Sequence, residues 1–101
     1  MNGEELRKIA EESHRIWFER WIKKNRKNIE NKLVISAKQG FKYMVFYYPL
    51  SEVDKNLRNR LLDSRTEEYL REEFKDFKVN IYEKDGLLGI FDRRIIIEFR
   101  F

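Results

Sequence analysis

The chain has 101 residues, a net charge of +4 and no cysteine. This length predicts one domain over residues 1–101 with a core of its own, and the lack of thiols excludes disulfides and thiolate chemistry. The first residues are charged and no apolar run approaches the ~18 residues of a bilayer span, so we expect no signal peptide, no membrane association and a cytoplasmic location.

A long helix is predicted over residues 3–39, with a break near 24–28 as the alternative. Asn2 can cap its N-terminus, and Gly40 can end it in the left-handed conformation. Apolar side chains at helical spacing form a long stripe along this helix, part of which is expected to overhang the sheet: Leu6, Ile9, Ala10, Ser13, Ile16, Trp17, Phe18, Trp21, Ile22, Ile29, Leu33 and Ala37.

A strand is predicted over residues 41–48, ended by Pro49. It is apolar on both faces apart from one lysine, which predicts a central strand of the sheet. Residues 52–76 form either one helix or two short helices that meet near Ser64, and we favour two. Ser51 and Ser64 are the predicted N-caps of this region.

The remaining segments predict strands at 78–83 and 95–101. Turns are expected at residues 84–86 and 92–93, and residues 87–91 form a strand or a loop. The period of two places four apolar side chains of the last strand on one core face: Ile95, Ile97, Phe99 and Phe101.

These elements predict an α+β fold in the order α-β-α-β-(β)-β. A small sheet of three or four strands packs against the long N-terminal helix and a second helical element. The last strands pair antiparallel, and a parallel crossover between the first two strands is an alternative.

Basic residues are concentrated in one part of the chain. Residues 20–42 hold eight lysines and arginines against Glu30 alone. Exposed cations bind phosphates and an aromatic ring stacks on unpaired bases, so the candidate nucleic-acid-binding residues are Arg20, Trp21, Lys23, Lys24, Arg26 and Lys27. The alternative is an ordinary solvated helix face with Trp21 turned inward.

A second candidate site is the apolar segment after Gly86. As a loop tip it would expose four large side chains to a protein partner, namely Leu87, Leu88, Ile90 and Phe91. As a strand in the middle of the sheet, the same residues would belong to the core.

No residue set predicts catalysis, a metal or a cofactor. His14 is the only histidine and is interpreted as a surface or flanking residue without a nucleophile beside it. Glu68 and Glu72 share a helix face, but interleaved cations favour a solvated surface over a cation site. We therefore expect a protein that is not an enzyme.

Residues 29–101 carry a pattern of segments that resembles a known class of proteins. A helix ending in Ser36–Gly40 runs into a strand, a second helix leads to Phe77–Tyr82, and the chain closes on Ile95–Phe99. This pattern is similar to small early-region accessory proteins of tailed phages that infect Gram-positive bacteria. The resemblance implies a small cytosolic protein, of a class in which some members bind and redirect host machinery, and it transfers no catalytic residue.

The favoured function is accordingly that of an accessory protein which binds a protein partner and acts as an inhibitor or modulator. Nucleic-acid binding through residues 20–42 is the alternative. The apolar stripe of the first helix is long for so small a sheet, so a symmetric homodimer built partly on Leu6, Ile9, Ile16, Trp17 and Trp21 is also expected.

Overall fold

The computed structural model describes residues 1–87 and 89–101, without the side chains of residues 88–91. Within these residues the helices are α1 (Gly3–Lys38), α2 (Lys55–Leu62) and α3 (Ser64–Glu73). The strands are β1 (Tyr43–Pro49), β2 (Lys78–Gly86) and β3 (Gly89–Arg100), and a 3₁₀ turn at Leu50–Glu52 links β1 to α2. The predicted α+β class, with a small sheet and a long N-terminal helix, is confirmed.

α1 is one unbroken helix of 36 residues, so the predicted single helix is confirmed. The Asn2 side chain accepts a hydrogen bond from the Glu5 amide at 2.9 Å, as expected of an N-cap. Gly40 adopts a φ of +87° directly after the C-cap, a conformation that glycine reaches without steric cost. At about 1.5 Å per residue the helix is about 54 Å long, so it defines the long axis of the molecule.

The second helical region consists of two helices, as favoured. The predicted caps are wrong, however, because aspartates occupy the cap positions instead. Asp54 accepts from the Leu57 amide at 2.7 Å and caps α2, and Asp63 accepts from the Arg65 amide at 2.9 Å and caps α3. Ser51 lies in the 3₁₀ turn and Ser64 is the first residue of α3. Serine and aspartate cap helices equally well, so composition alone did not distinguish these neighbouring positions.

The sheet has the strand order β1-β3-β2, and both pairings are antiparallel. The predicted antiparallel pairing of the last strands is confirmed. β1 and β2 run in the same direction and are joined through α2 and α3, as in the predicted parallel crossover, but they do not pair with each other because β3 lies between them. β1 is therefore an edge strand, not the central strand that its composition predicted.

The hairpin of β2 and β3 is longer than predicted. Asp85 lies in β2 opposite Arg93 in β3, and their side chains pair at 2.8 Å, so both turns expected at residues 84–86 and 92–93 are wrong. The chain leaves β2 after Gly86 and Leu87 lies in the turn. Residues 89–91, expected as a strand or loop, begin β3.

The core lies between the helices and the inner face of the sheet. β3 supplies Ile95, Ile97 and Phe99, each almost wholly buried, whereas Phe101 is half-exposed at the rim. α1 contributes buried residues from one side of the helix, and β1, α2, α3 with its C-cap, and β2 contribute the others. The buried residues outside β3 are Phe18, Ile22, Ile29, Leu33, Met44, Phe46, Leu61, Leu70, Phe74 and Val79.

The first half of the apolar stripe predicted along α1 does not meet the core. Leu6, Ile9 and Ile16 are exposed, and every residue from 1 to 13 is exposed. At about 100° per residue these side chains point away from the side of the helix that carries Phe18 and Ile22. These apolar residues do share one side of the helix. However, α1 has two apolar sides, and only the other one packs against the core.

Candidate functional site

The predicted basic residues of α1 divide into two groups. Arg20, Lys23, Lys24 and Lys27 lie on one exposed side of the helix, since steps of three and four residues return to the same side. In the described part of the chain no carboxylate pairs with any of these four residues. We call them the basic stripe.

Arg26 lies outside the basic stripe. It forms an ion pair with Glu73 of α3 and lies 4.0 Å from Glu30. Its guanidinium also lies 5.7 Å from the centre of the Phe74 ring. Arg26 thus fastens α1 to α3, a structural role that the sequence spacing did not indicate.

Trp21 is half-buried and stacks on Trp17, with ring centres 6.0 Å apart and planes inclined by 22°. The two indoles form one wall of a shallow groove whose other lining residues are Arg20, Lys23 and Lys24. The structure therefore brings an aromatic pair and three cations together on the surface. One side of each indole packs inward, which limits the stacking area that a base could use.

The outer face of the sheet is a second surface, one that sequence reasoning missed. Tyr47 of β1, Ile96 of β3 and Tyr82 of β2 lie at the same register and form a row across the strands. Both tyrosines are exposed, and Tyr43 is exposed further along β1. No helix in the described chain packs on this side, so we call this row and Tyr43 the tyrosine face.

Ile96 shows that the tyrosine face has a small apolar cluster of its own. Only 4% of its surface is exposed, although it lies outside the main core. Its register neighbours Tyr47 and Tyr82 provide the cover. The signal in the sequence was the alternation of Tyr43 and Tyr47 at a spacing that shares one strand face.

Charged side chains surround this row. Arg94 pairs with Asp92 at 2.9 Å and its guanidinium lies 5.3 Å from the centre of the Tyr47 ring. On the other side, Glu98 accepts hydrogen bonds from Tyr82 at 3.3 Å and Arg100 at 2.6 Å. Burial, and secondarily the Glu98 carboxylate, raises the pKa of the Tyr82 hydroxyl, so this phenol stays protonated and donates.

The apolar segment at the hairpin tip is described only in part. Leu87 is fully exposed in the turn. Leu88, Ile90 and Phe91, the other predicted partner-binding residues, have side chains that lie outside the described residues.

His14 is fully buried, which corrects the expectation of a surface or flanking histidine. Its Nε2 lies 2.8 Å from the Thr66 hydroxyl, which donates to the Arg60 carbonyl, and its Nδ1 lies 3.2 Å from the Arg60 guanidinium. The two partners assign a neutral ring with the proton on Nε2. Thr66 lies 52 residues away in sequence, so helix periodicity carried no sign of it.

The pKa of His14 is lowered, because burial disfavours the charged ring and Arg65 and Arg60 repel it, against the attraction of Asp63. The ring thus serves as a hydrogen-bonding bridge between α1 and the junction of α2 and α3. The Thr66 hydroxyl against the ring is wholly buried and donates its proton to the Arg60 carbonyl, so it is not placed to act as a nucleophile and the geometry indicates a structural histidine.

The acidic side of α3 is tied to cations. Glu72 lies 3.8 Å from Arg15, and Glu67 pairs with Arg71 at 2.7 Å while accepting from the Ile81 amide at 2.8 Å. Among the described residues no group of three or more potential metal ligands comes together.

No family model matches the chain, and no curated protein or solved structure matches it. No helix of the described residues is long and apolar enough to cross a bilayer. We therefore infer function from the two surfaces described above, the basic stripe and the tyrosine face.

Proposed function

We propose that this protein is a small accessory protein that acts by binding another protein through the tyrosine face. This is the kind of role implied by the resemblance of residues 29–101 to phage early-region proteins. The supporting observation is the row of Tyr47, Ile96 and Tyr82, in which the two tyrosines cover the isoleucine and are themselves left exposed to solvent by the fold.

The composition of this face is typical of protein interfaces. Tyrosine and arginine are enriched among the residues that dominate binding energy, because they bury a large area while keeping a polar group for hydrogen bonding. Here two tyrosines enclose an isoleucine and Arg94 lies against one of them. A partner that offers an apolar side chain to the row and a carboxylate to Arg94 would fit this surface.

The charged residue beside the row is already paired within the chain. Glu98 lies beside the row on the central strand, and its carboxylate is held there by Tyr82 and Arg100. A partner would therefore meet the two tyrosines beside a charge-compensated pair.

Site-specific photo-crosslinking tests this proposal. A photoreactive phenylalanine analogue placed at Tyr47 or at Tyr82 is expected to capture the same protein in cells that express the chain. The same analogue at Ile35, an equally exposed position on α1, serves as the matched control and should not capture it.

The captured protein is then purified and its affinity for the chain measured by calorimetry. Y47A/Y82A should bind at least about tenfold more weakly than the wild type, as expected when central aromatic contacts are removed, while I35A should bind as the wild type does. Unchanged affinity for Y47A/Y82A, or capture only from the control position, would contradict the proposal.

Nucleic-acid binding by the basic stripe is a second candidate, favoured by its four cations without carboxylate partners beside the Trp17–Trp21 pair. With four phosphate contacts, the slope of log K against log salt would be roughly −3 to −4. The variant K23Q/K24Q/K27Q should lower the magnitude of this salt slope by about one for each lost phosphate contact. Its free energy of unfolding should stay within ~0.5 kcal/mol of the wild-type value. A gel-shift assay at low salt without retardation of DNA or RNA would remove this candidate.

A further inference from the structure

The two edges of the sheet differ in how their main-chain groups are used. At the β2 edge, side chains of α3 bond to the outward groups of the strand. The Glu67 carboxylate accepts a hydrogen bond from the Ile81 amide at 2.8 Å. Arg71 Nε donates to the Val79 carbonyl at 3.1 Å. Groups that are bonded in this way are not available to another strand, so α3 closes the β2 edge.

The ladder between β1 and β3 shows which groups of β1 point outward. The Phe101 amide donates to the Lys42 carbonyl at 2.9 Å, and residue pairs along an antiparallel ladder alternate between bonded and unbonded. Every second residue of β1 therefore bonds to β3, namely Met44, Phe46 and Tyr48. The alternate residues turn their amides and carbonyls away from the sheet, namely Tyr43, Val45 and Tyr47. No hydrogen bond reaches these outward groups from residues 1–87 or 89–101, and we call them the open edge.

β1 also lacks the features that protect most edge strands. Charged side chains, prolines and bulges usually keep such a strand from pairing with another chain. Residues 43–48 contain no charged residue and no proline, and their register with β3 is regular until Pro49 ends the strand. The open edge is therefore a regular, uncharged stretch of main chain about 20 Å long.

We propose that the protein partner contributes an extended segment that pairs with the open edge as a fourth strand of the sheet. This inference rests on the proposed function, because Tyr43 and Tyr47 belong to both the open edge and the tyrosine face. A row of unpaired amides and carbonyls is complementary to the main chain of another strand, which presents the same groups at the same spacing. Three amides and three carbonyls are available for these hydrogen bonds.

The helix layer argues against a second copy of this chain as the occupant. α1 packs over β1, with the Lys32 ammonium 4.6 Å from the centre of the Phe46 ring, and α3 packs over β2. Pairing β1 with β1 of a second copy would place two α1 helices over strands about 4.8 Å apart, whereas packed helices need about 8–10 Å. An extended segment without a helix over it fits beside β1.

The side chains around the open edge indicate the composition of the segment. Lys32 lies over β1 and Lys42 directly precedes it, and neither forms an ion pair within the described residues. The outer side of β1 carries aromatic and β-branched residues, which pair best with apolar side chains across strands. We therefore expect a segment in which apolar residues alternate with polar ones that include a carboxylate.

Amide hydrogen exchange followed by NMR tests the open edge in the protein alone. The amides of the open edge should exchange at least about tenfold faster than those of Met44, Phe46 and Tyr48. Equal protection of the two sets would show that the edge is already covered. Protection of the open edge that increases with protein concentration would show that a second copy covers it. Either result overturns the proposal.

The probe for binding is a peptide selected from a displayed library of short random sequences. Selected peptides should show the expected alternation and slow the exchange of the open-edge amides at least about tenfold at saturation. N-methylation should weaken binding at least about tenfold at every second peptide position, where the amide faces β1, and the intervening positions are the matched controls. A library without binders, or binders without this period of two, overturns the proposal.

A charge reversal tests the carboxylate of the segment. K32E should weaken binding of the selected peptides at least about threefold, because it replaces an attraction by a repulsion. K8E is the matched control, since Lys8 lies in the exposed first turns of α1, and it should bind as the wild type does. Equal affinities of the two variants would contradict an acidic segment.

The protein captured from Tyr47 and Tyr82 separates this inference from the proposed function. It should protect the open-edge amides and compete with the selected peptides. If Y47A/Y82A weakens its binding but these amides stay unprotected, strand pairing is wrong and binding through the tyrosine face stands. If peptides pair with the open edge but no protein is captured, the result contradicts the proposed function and not the pairing.

Discussion

Replacing Phe99 with alanine should remove more stability than any other single truncation in the last strand. Phe99 is wholly buried on the central strand, and its ring centre lies 5.4 Å from Phe74, 6.3 Å from Phe46 and 6.5 Å from Phe77. It joins the two edge strands to α3 and the segment after it. A buried Phe→Ala change of this kind costs about 3–5 kcal/mol, against a total stability of about 5–15 kcal/mol for a small domain.

Urea denaturation measures this loss. At a slope of about 1–1.5 kcal/mol per molar urea, the F99A midpoint should fall by about 2–5 M. Phe101 provides the control two residues away on the same strand side, because it is 41% exposed and contacts the Phe77 ring at 5.7 Å only. F101A should lose less than about 1.5 kcal/mol. Equal midpoints for the two variants would refute the placement of β3 at the centre of the core.

Two further predictions concern the same framework. Deleting residues 97–101 should abolish cooperative thermal unfolding, because it removes the end of β3 that pairs with both neighbouring strands, together with the buried Ile97 and Phe99. An unchanged melting temperature would show that this end of the strand is peripheral. The buried His14 has a pKa below its ordinary 6.5, so the unfolded chain takes up the proton first as the pH falls. The free energy of unfolding should therefore be constant above about pH 6.5 and decrease as the pH falls below it. H14Q should lose this pH dependence between about pH 5 and 6.5. A wild type whose stability increases as the pH falls through that window would contradict the assignment of a neutral His14 ring.

Local signals in the chain predicted the end of α1 and the last strand correctly. Gly40 ends α1 because only glycine adopts its backbone conformation cheaply, a property that can be read from one position. The terminal strand was recognisable because Ile95, Ile97 and Phe99 recur with a period of two. Both signals depend on a few neighbouring residues, so they can be read from the sequence without knowledge of the fold.

Choices that depend on distant residues were not predictable. The core side of α1 is decided by partners such as Thr66, whereas the spacing of Leu6, Ile9 and Ile16 suggested the opposite side. In the same way, the composition of β1 predicts a central strand, because its tyrosines are counted as apolar residues. The strand order instead places β1 at the edge of the sheet, with its tyrosines exposed. Of the two candidate surfaces, the basic stripe could be predicted from composition and the tyrosine face needed the strand order.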